Sequence, residues 1–244
     1  MTTTGAVQPP SAPKPLLERV IGVLTAPGDT FRNVAAHPRW LGVLLLTTLV
    51  AAGLWFWFLT TESGQMAMLD QQVRQIEAWG GTVSDEQYAG IEGSLPLMRY
   101  IVPGTTVVMG PLVTLILAGV LFGVFNAGLG GDATFKQLFS VVVHAGIVIL
   151  LQTLFIMPLN YVRESTTSAT NLAVFLPMLD EGSLAARFLG MIDLFVVWWL
   201  IVLGIGLAVL YRRRTQPIVV GLLIVYLVIA AGIALVMRGV AGSA

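Results

Sequence analysis

Three polar residues interrupt the long apolar runs of this 244-residue chain: His144, Gln152 and Asp193. They are its first candidates for chemistry. An ionisable side chain is costly to bury in hydrocarbon, so such residues face a bundle interior and mark proton or substrate paths, or contacts between helices. Depth sorts the three. His144 lies about six residues into a run that starts near Leu138, roughly 9 Å at about 1.5 Å per residue. Asp193 lies about as deep from the opposite face, in a run that starts near Phe188. In an antiparallel pair these two occupy opposite leaflets. Gln152 is about six residues from Pro158 and shares the level of Asp193, where the two can hydrogen-bond. As a structural pair they are interhelical glue, worth about 0.6 kcal/mol on average. As a functional pair they are a proton or substrate site, but one carboxylate without a basic partner is a poor relay. The structural role is the preferred reading. His144 reads as a satisfied core or interface residue, with pH sensing as the lesser alternative.

Other signatures of catalysis are missing. There is no Gly-x-Ser-x-Gly elbow and no His-Glu-x-x-His helix. The two histidines, His37 and His144, cannot make a usual zinc site, and there is no cysteine to join them. Gly130-Gly131-Asp132 sits between two apolar runs, where glycine is the ordinary turn residue. The expectation is a non-enzyme with no cofactor and no bound metal.

The elements that must position these residues follow from composition. The chain is 56% hydrophobic and 11% charged, with formal net charge zero. Soluble domains average about 25% charged residues, so this chain needs an apolar solvent. Neutrality argues against nucleic acid, which demands a basic excess. Five runs are long enough for helices that cross a bilayer: 40–60, 101–126, 138–158, 188–211 and 217–237. Their continuity excludes the alternating strands of a barrel. The fold class is therefore all-α, a polytopic membrane helix bundle of about five transmembrane helices. Lys14, Arg19, Arg32, Arg39, Lys136 and Arg212–Arg214 fall on one side, and Arg74, Arg99, Arg163, Arg187 and Arg238 on the other. The short loop with three consecutive arginines stays cytoplasmic. That places the N-terminus in the cytoplasm and the C-terminus outside.

Residues 1–15 read as a disordered polar tail without a cleavable signal, so the first span is expected to be retained. Residues 16–39 read as cytoplasmic interfacial helices, with Leu16, Leu17, Val20, Ile21 and Leu24 on one face. Pro27-Gly28 breaks the first helix, and Asp29 or Thr30 can cap the second. The apolar face lies either in lipid or on the protein's own bundle. Residues 40–237 form the membrane domain. Within it, 61–100 is an outer helical hairpin, stopped by Gly80-Gly81 and restarted by a Ser84/Gln87 capping box. Its acidic residues read as a solvated face. Residues 238–244 are a short tail. Gly119 and Gly123 have the spacing for close helix packing, within the monomer by default and in a dimer second. Pro103 and Pro111 are expected to bend the second span.

Three stretches carry a resemblance. They are Pro27-Gly28-Asp29-Thr30-Phe31 with Val34 and Pro38, Gly130-Gly131-Asp132-Ala133-Thr134-Phe135-Lys136-Gln137, and Ile192-Asp193-Leu194-Phe195-Val196-Val197-Trp198. In this layout the chain resembles the Yip family of membrane proteins, the Ypt/Rab-interacting group, in its bacterial branch. The resemblance covers roughly residues 16–237. It implies a non-enzymatic five-helix protein with a cytoplasmic N-terminus. Eukaryotic relatives act in vesicle trafficking and bind small GTPases. GTPase binding is not carried over, because the stretch before the first span is short. The expected role is a non-catalytic scaffold, membrane-organising or trafficking-like, in a cell membrane, taken as a bacterial inner membrane. The alternative is a small transporter or channel subunit with a polar site between the third and fourth spans. Expected partners are the lipid bilayer and a homo-oligomer or other membrane proteins, with no nucleic acid.

Overall fold

A computed structural model describes residues 12–180 and 183–241. Two short helices, α1 (Leu16–Thr25) and α2 (Pro27–Ala36), precede the spans. They are followed by α3 (Leu41–Leu59), α4 (Glu62–Ala78), α5 (Asp85–Phe122), α6 (Phe135–Ala145), α7 (Ile147–Arg163), α8 (Leu184–Gly190), α9 (Leu194–Leu210) and α10 (Thr215–Ala241). No strand occurs among the described residues. The one extended pairing is an isolated antiparallel bridge between Asn171 and Asp193.

Four helical stretches are long and apolar enough to cross a membrane: Leu41–Leu59, Asp85–Gly128, Phe135–Arg163 and Thr215–Gly239. The fifth, Leu194–Leu210, has 17 residues, or about 25 Å, the short end of the spanning range. The chain is an all-α polytopic membrane protein. Its third span, α6 with α7, is the axis of the bundle: 61% of its most apolar window is buried, against 11% for α5 and for α10. Val141, Val142, Val148, Val202, Leu203 and Leu207 interlock at the contact of α6–α7 with α9. Here "basic end" means the end carrying Lys136 and Arg212–Arg214, and "far end" the other.

Several boundaries differ from the sequence reading. The outer hairpin does not end before the second span. The Ser84/Gln87 capping box forms, but the helix it starts continues as α5 for 38 residues through Pro96, Pro103 and Pro111. No glycine pair or new cap intervenes, and each proline removes only one backbone donor. The third span runs past Pro158 to Arg163 and is interrupted at Gly146 instead. The fourth span starts at Leu194 rather than Phe188, because α8 ends at Gly190 and the chain turns before α9. Neither Asp29 nor Thr30 caps α2. That helix opens with Pro27 in its first position, and Ala26 before it makes no side-chain cap. The final helix continues through residues 238–241. Residues 1–11 of the expected tail, and 242–244, lie outside the described residues.

Candidate functional site

At the basic end α2 lies against both α6 and α9, antiparallel to α6. Ala35 in its last turn accepts a hydrogen bond from Gln137 Nε2 at 3.0 Å, and Gln137 also closes the capping box with Thr134 that starts α6. One turn deeper, Phe31 and Val141 meet over Gly206. A Cβ on Gly206 would stand 2.6 Å from Val141 Cγ1 and 3.1 Å from the Phe31 ring, so only glycine admits this approach. Phe31 and Val34 are fully buried. The apolar face of α2 is thus on the protein's own bundle, not in lipid. The face of α1 divides. Val23 is buried, whereas Leu17 is 69% and Ile21 51% exposed.

Between α1 and α6 lies a buried polar contact. Arg19 Nη1 is 2.9 Å from His144 Nε2, and the same nitrogen donates to the Arg39 carbonyl at 2.6 Å. His144 Nδ1 is 2.7 Å from the Ser140 carbonyl. A carbonyl only accepts and a guanidinium only donates. The imidazole therefore carries its proton on Nδ1 and offers the Nε2 lone pair to Arg19. That is the neutral form, because a second proton on Nε2 would face a donor. Burial, and then Arg39, hold the Arg19 guanidinium below its usual range. Arg19 Nε is buried without a partner. His144 is fully buried, as the sequence suggested for a satisfied core residue.

The second junction at this end joins the turns after α5 and α9. The last turn of the second span is a π-helix, Gly123–Gly128, which aims Asn126 inward. Asn126 donates to the Ala133 carbonyl at 2.8 Å and accepts from the Tyr211 hydroxyl at 2.5 Å. Burial, then Asp132, raise the Tyr211 phenol above its ordinary pKa, keeping it a donor. The Tyr211 ring lies against Gly131, where any Cβ would collide with it. Gly130 beside it has φ of +68°. Both glycines are required, one by conformation and one by contact.

At the far end Asp193 does not sit inside a span. It is the N-cap of α9, and its Oδ1 accepts from Phe195 N at 2.8 Å. Its Oδ2 accepts from Ser168 Oγ at 2.5 Å and Thr170 Oγ1 at 2.7 Å. Tyr226 of α10 accepts from Asp193 N at 3.2 Å and donates to the Met191 carbonyl at 2.6 Å. Gln152 is half-buried and is not among the partners of Asp193. The two do not form the expected pair, because the loop before α9 delivers nearer hydroxyls. Gly119 and Gly123 are exposed, and a Cβ on either would meet nothing within 4 Å. They pack no helix inside the monomer, since α5 contacts its neighbours by another face.

Sequence reasoning missed Arg19, Asn126, Tyr211 and Tyr226. Arg19 left a signal, since it interrupts the stripe Leu16, Val20, Val23 at helical spacing. The others had none: Asn126 and Tyr211 meet across 85 positions, and Tyr226 reaches Asp193 and Met191 across 33 and 35.

The structure unites the sequence motifs. Phe31 from the first, the Gly130–Gln137 stretch from the second and the basic half of α9 meet at one end. The third motif caps α9 at the other. A family model, the Yip1 domain, matches residues 21–237. The chain belongs to the Yip family of membrane proteins. Comparison with the curated proteins found no match. Comparison with the solved structures found none either.

Proposed function

We propose that the protein is a non-catalytic scaffold that organises the membrane around it, in the inner membrane of a bacterial cell. The supporting observation is the fixed attachment of α1 and α2 on one side of the bilayer. α2 is locked between α6 and α9 through Phe31, Val34 and Gln137. α1 is held by the Arg19–His144 contact and turns Leu17 and Ile21 outward. An apolar helix set into one interface adds area to that leaflet alone. Held rigidly by a bundle, it biases the membrane's shape. No covalent chemistry is assigned to the chain, and its partners are lipid and other membrane proteins.

Reconstitution into liposomes tests this. Wild-type protein should narrow or tubulate vesicles seen by cryo-electron microscopy, and Leu17→Glu with Ile21→Glu should lose the effect while still folding. Unchanged vesicle shape with wild-type protein overturns the proposal.

A transporter or channel subunit is the second reading. It draws on a cavity of about 500 Å³ between α3, α5, α6 and α7 that is lined by Thr47, Thr48, Thr106, Thr114 and Thr153. Four of these hydroxyls are turned back onto carbonyls of their own helices. This leaves an apolar surface, so solute flux in proteoliposomes is expected to be absent.

A further inference from the structure

A groove of about 1050 Å³ opens on the lipid-facing side of the bundle, with α5 and α10 as its walls and α9 as its floor. Val120 and Val124 line one wall, Leu200 and Leu203 the floor, and Gly221 and Val225 the other wall. Side chains with polar groups in its lining are Trp199 and Tyr226 and, at the basic end, Arg212, Arg213 and Arg214. The α10 wall runs from Pro217 to Ile229. The twelve helical steps between them cover about 18 Å, close to the ~15 Å of one leaflet's hydrocarbon.

The mouth is built at a conformational cost. α9 ends in a Schellman turn: Arg213 N donates to the Ala208 carbonyl at 2.9 Å and Arg212 N to the Val209 carbonyl at 3.4 Å. The residue that must be left-handed in this turn is usually glycine. Here it is Arg212, with φ of +52°. Arg213 is tied down by donating to the Leu129 carbonyl at 2.6 Å, bridging the turns after α5 and α9. Arg212 and Arg214 are exposed beside it, at the N-terminal end of α10, where the helix dipole favours an anion. The rule that basic loops stay cytoplasmic accounts for the arginines. It does not account for a strained arginine where glycine would serve, nor for an apolar channel of one leaflet's length leading from it.

We infer that this groove holds one anionic phospholipid of the leaflet at the basic end, its phosphate at Arg212 and Arg214 and an acyl chain along α10. Charge complementarity selects the headgroup, and the length of the apolar wall selects a lipid over a soluble anion. The site does not depend on the scaffold reading, since a lipid can be held without any change in membrane shape.

The test is lipid retention. Full-length protein in nanodiscs of phosphatidylglycerol and phosphatidylcholine in equal parts is moved into a neutral detergent. Retained lipid and oligomeric mass are then read by native mass spectrometry. Wild type should keep one phosphatidylglycerol in preference to phosphatidylcholine. Each basic side chain near a membrane surface contributes roughly a fivefold preference for anionic lipid. Arg212→Gly should therefore lower the preference about fivefold without lowering the unfolding temperature, because glycine suits the turn. Arg212→Gly with Arg214→Gln should abolish it. Gly221→Phe tests the channel: a Cβ there meets nothing within 4 Å, so the ring can enter the groove. Loss of retained lipid with all three arginines intact is expected. Equal retention of both lipids by wild type, or unchanged preference in the double variant, overturns the inference. So does undiminished retention in Gly221→Phe, which would assign the anion to the arginines alone. A lipid-free dimer that Gly221→Phe breaks would assign the groove to a second copy and also overturn it.

Discussion

Two buried polar clusters, one at each end of the bundle, meet the same problem by different routes. At the far end, Asp193 is satisfied by groups 2, 23 and 25 residues away in sequence. Its loop and its own helix supply them. At the basic end, Arg19 and His144 are 125 residues apart, and Arg19 reaches the imidazole Nε2 only after α1 has docked on α6. The first cluster makes a helix start. The second fastens two interfacial helices to a membrane bundle. A carboxylate with local partners is a structural cap, whereas a guanidinium resting on a neutral imidazole is a joint between units.

Substitutions can break or sharpen that contrast, each read as a change in unfolding free energy in mild detergent. The largest effect is expected at Asp193→Leu. It removes the cap of α9, about 1 kcal/mol, and strips the acceptor from two hydroxyls at about 1–3 kcal/mol for a buried group. Asp193→Asn should recover most of the loss, because the cap survives. Gly206→Val comes next, at about 1–3 kcal/mol from overpacking. Its mark should be protease cleavage in the α1–α2 segment, since Phe31 loses its seat. His144→Leu should cost about 2 kcal/mol by leaving a buried guanidinium N–H without its acceptor. Arg19→Met in the same chain should restore more than half, because an apolar pair needs no partner. Non-additivity there with additivity between Asp193 and His144 would confirm the contrast. Additivity at Arg19 and His144 would abolish it. The smallest effects, within about 0.5 kcal/mol, belong to Gln152→Leu and Gly119→Leu, which touch neither cluster.

Much of this architecture is legible in the sequence where the signal is local. The capping box at Ser84/Gln87, the break at Pro27 and the apolar runs each depend on neighbours within a few turns. The site was less legible. Asp193 reads as a mid-span residue because hydropathy does not see the turn between Gly190 and Leu194. Pro158 reads as a helix end, although a proline in a packed helix removes a single hydrogen bond and the helix continues. Gly119 and Gly123 have the right spacing for packing, but spacing does not say which face of α5 meets a neighbour.

The sequence by itself determined that the chain lives in lipid, because so many apolar residues and so few charges leave no other solvent. It also determined that the apolar runs are helices, since helices satisfy their backbone within each segment, but not where several of them begin and end. Only the tertiary structure decided that α2 inserts beside Gly206, that Arg19 meets His144, and that three arginines stand at the mouth of an apolar groove. Those contacts join residues far apart in the chain, and their energies depend on distances that no local pattern encodes.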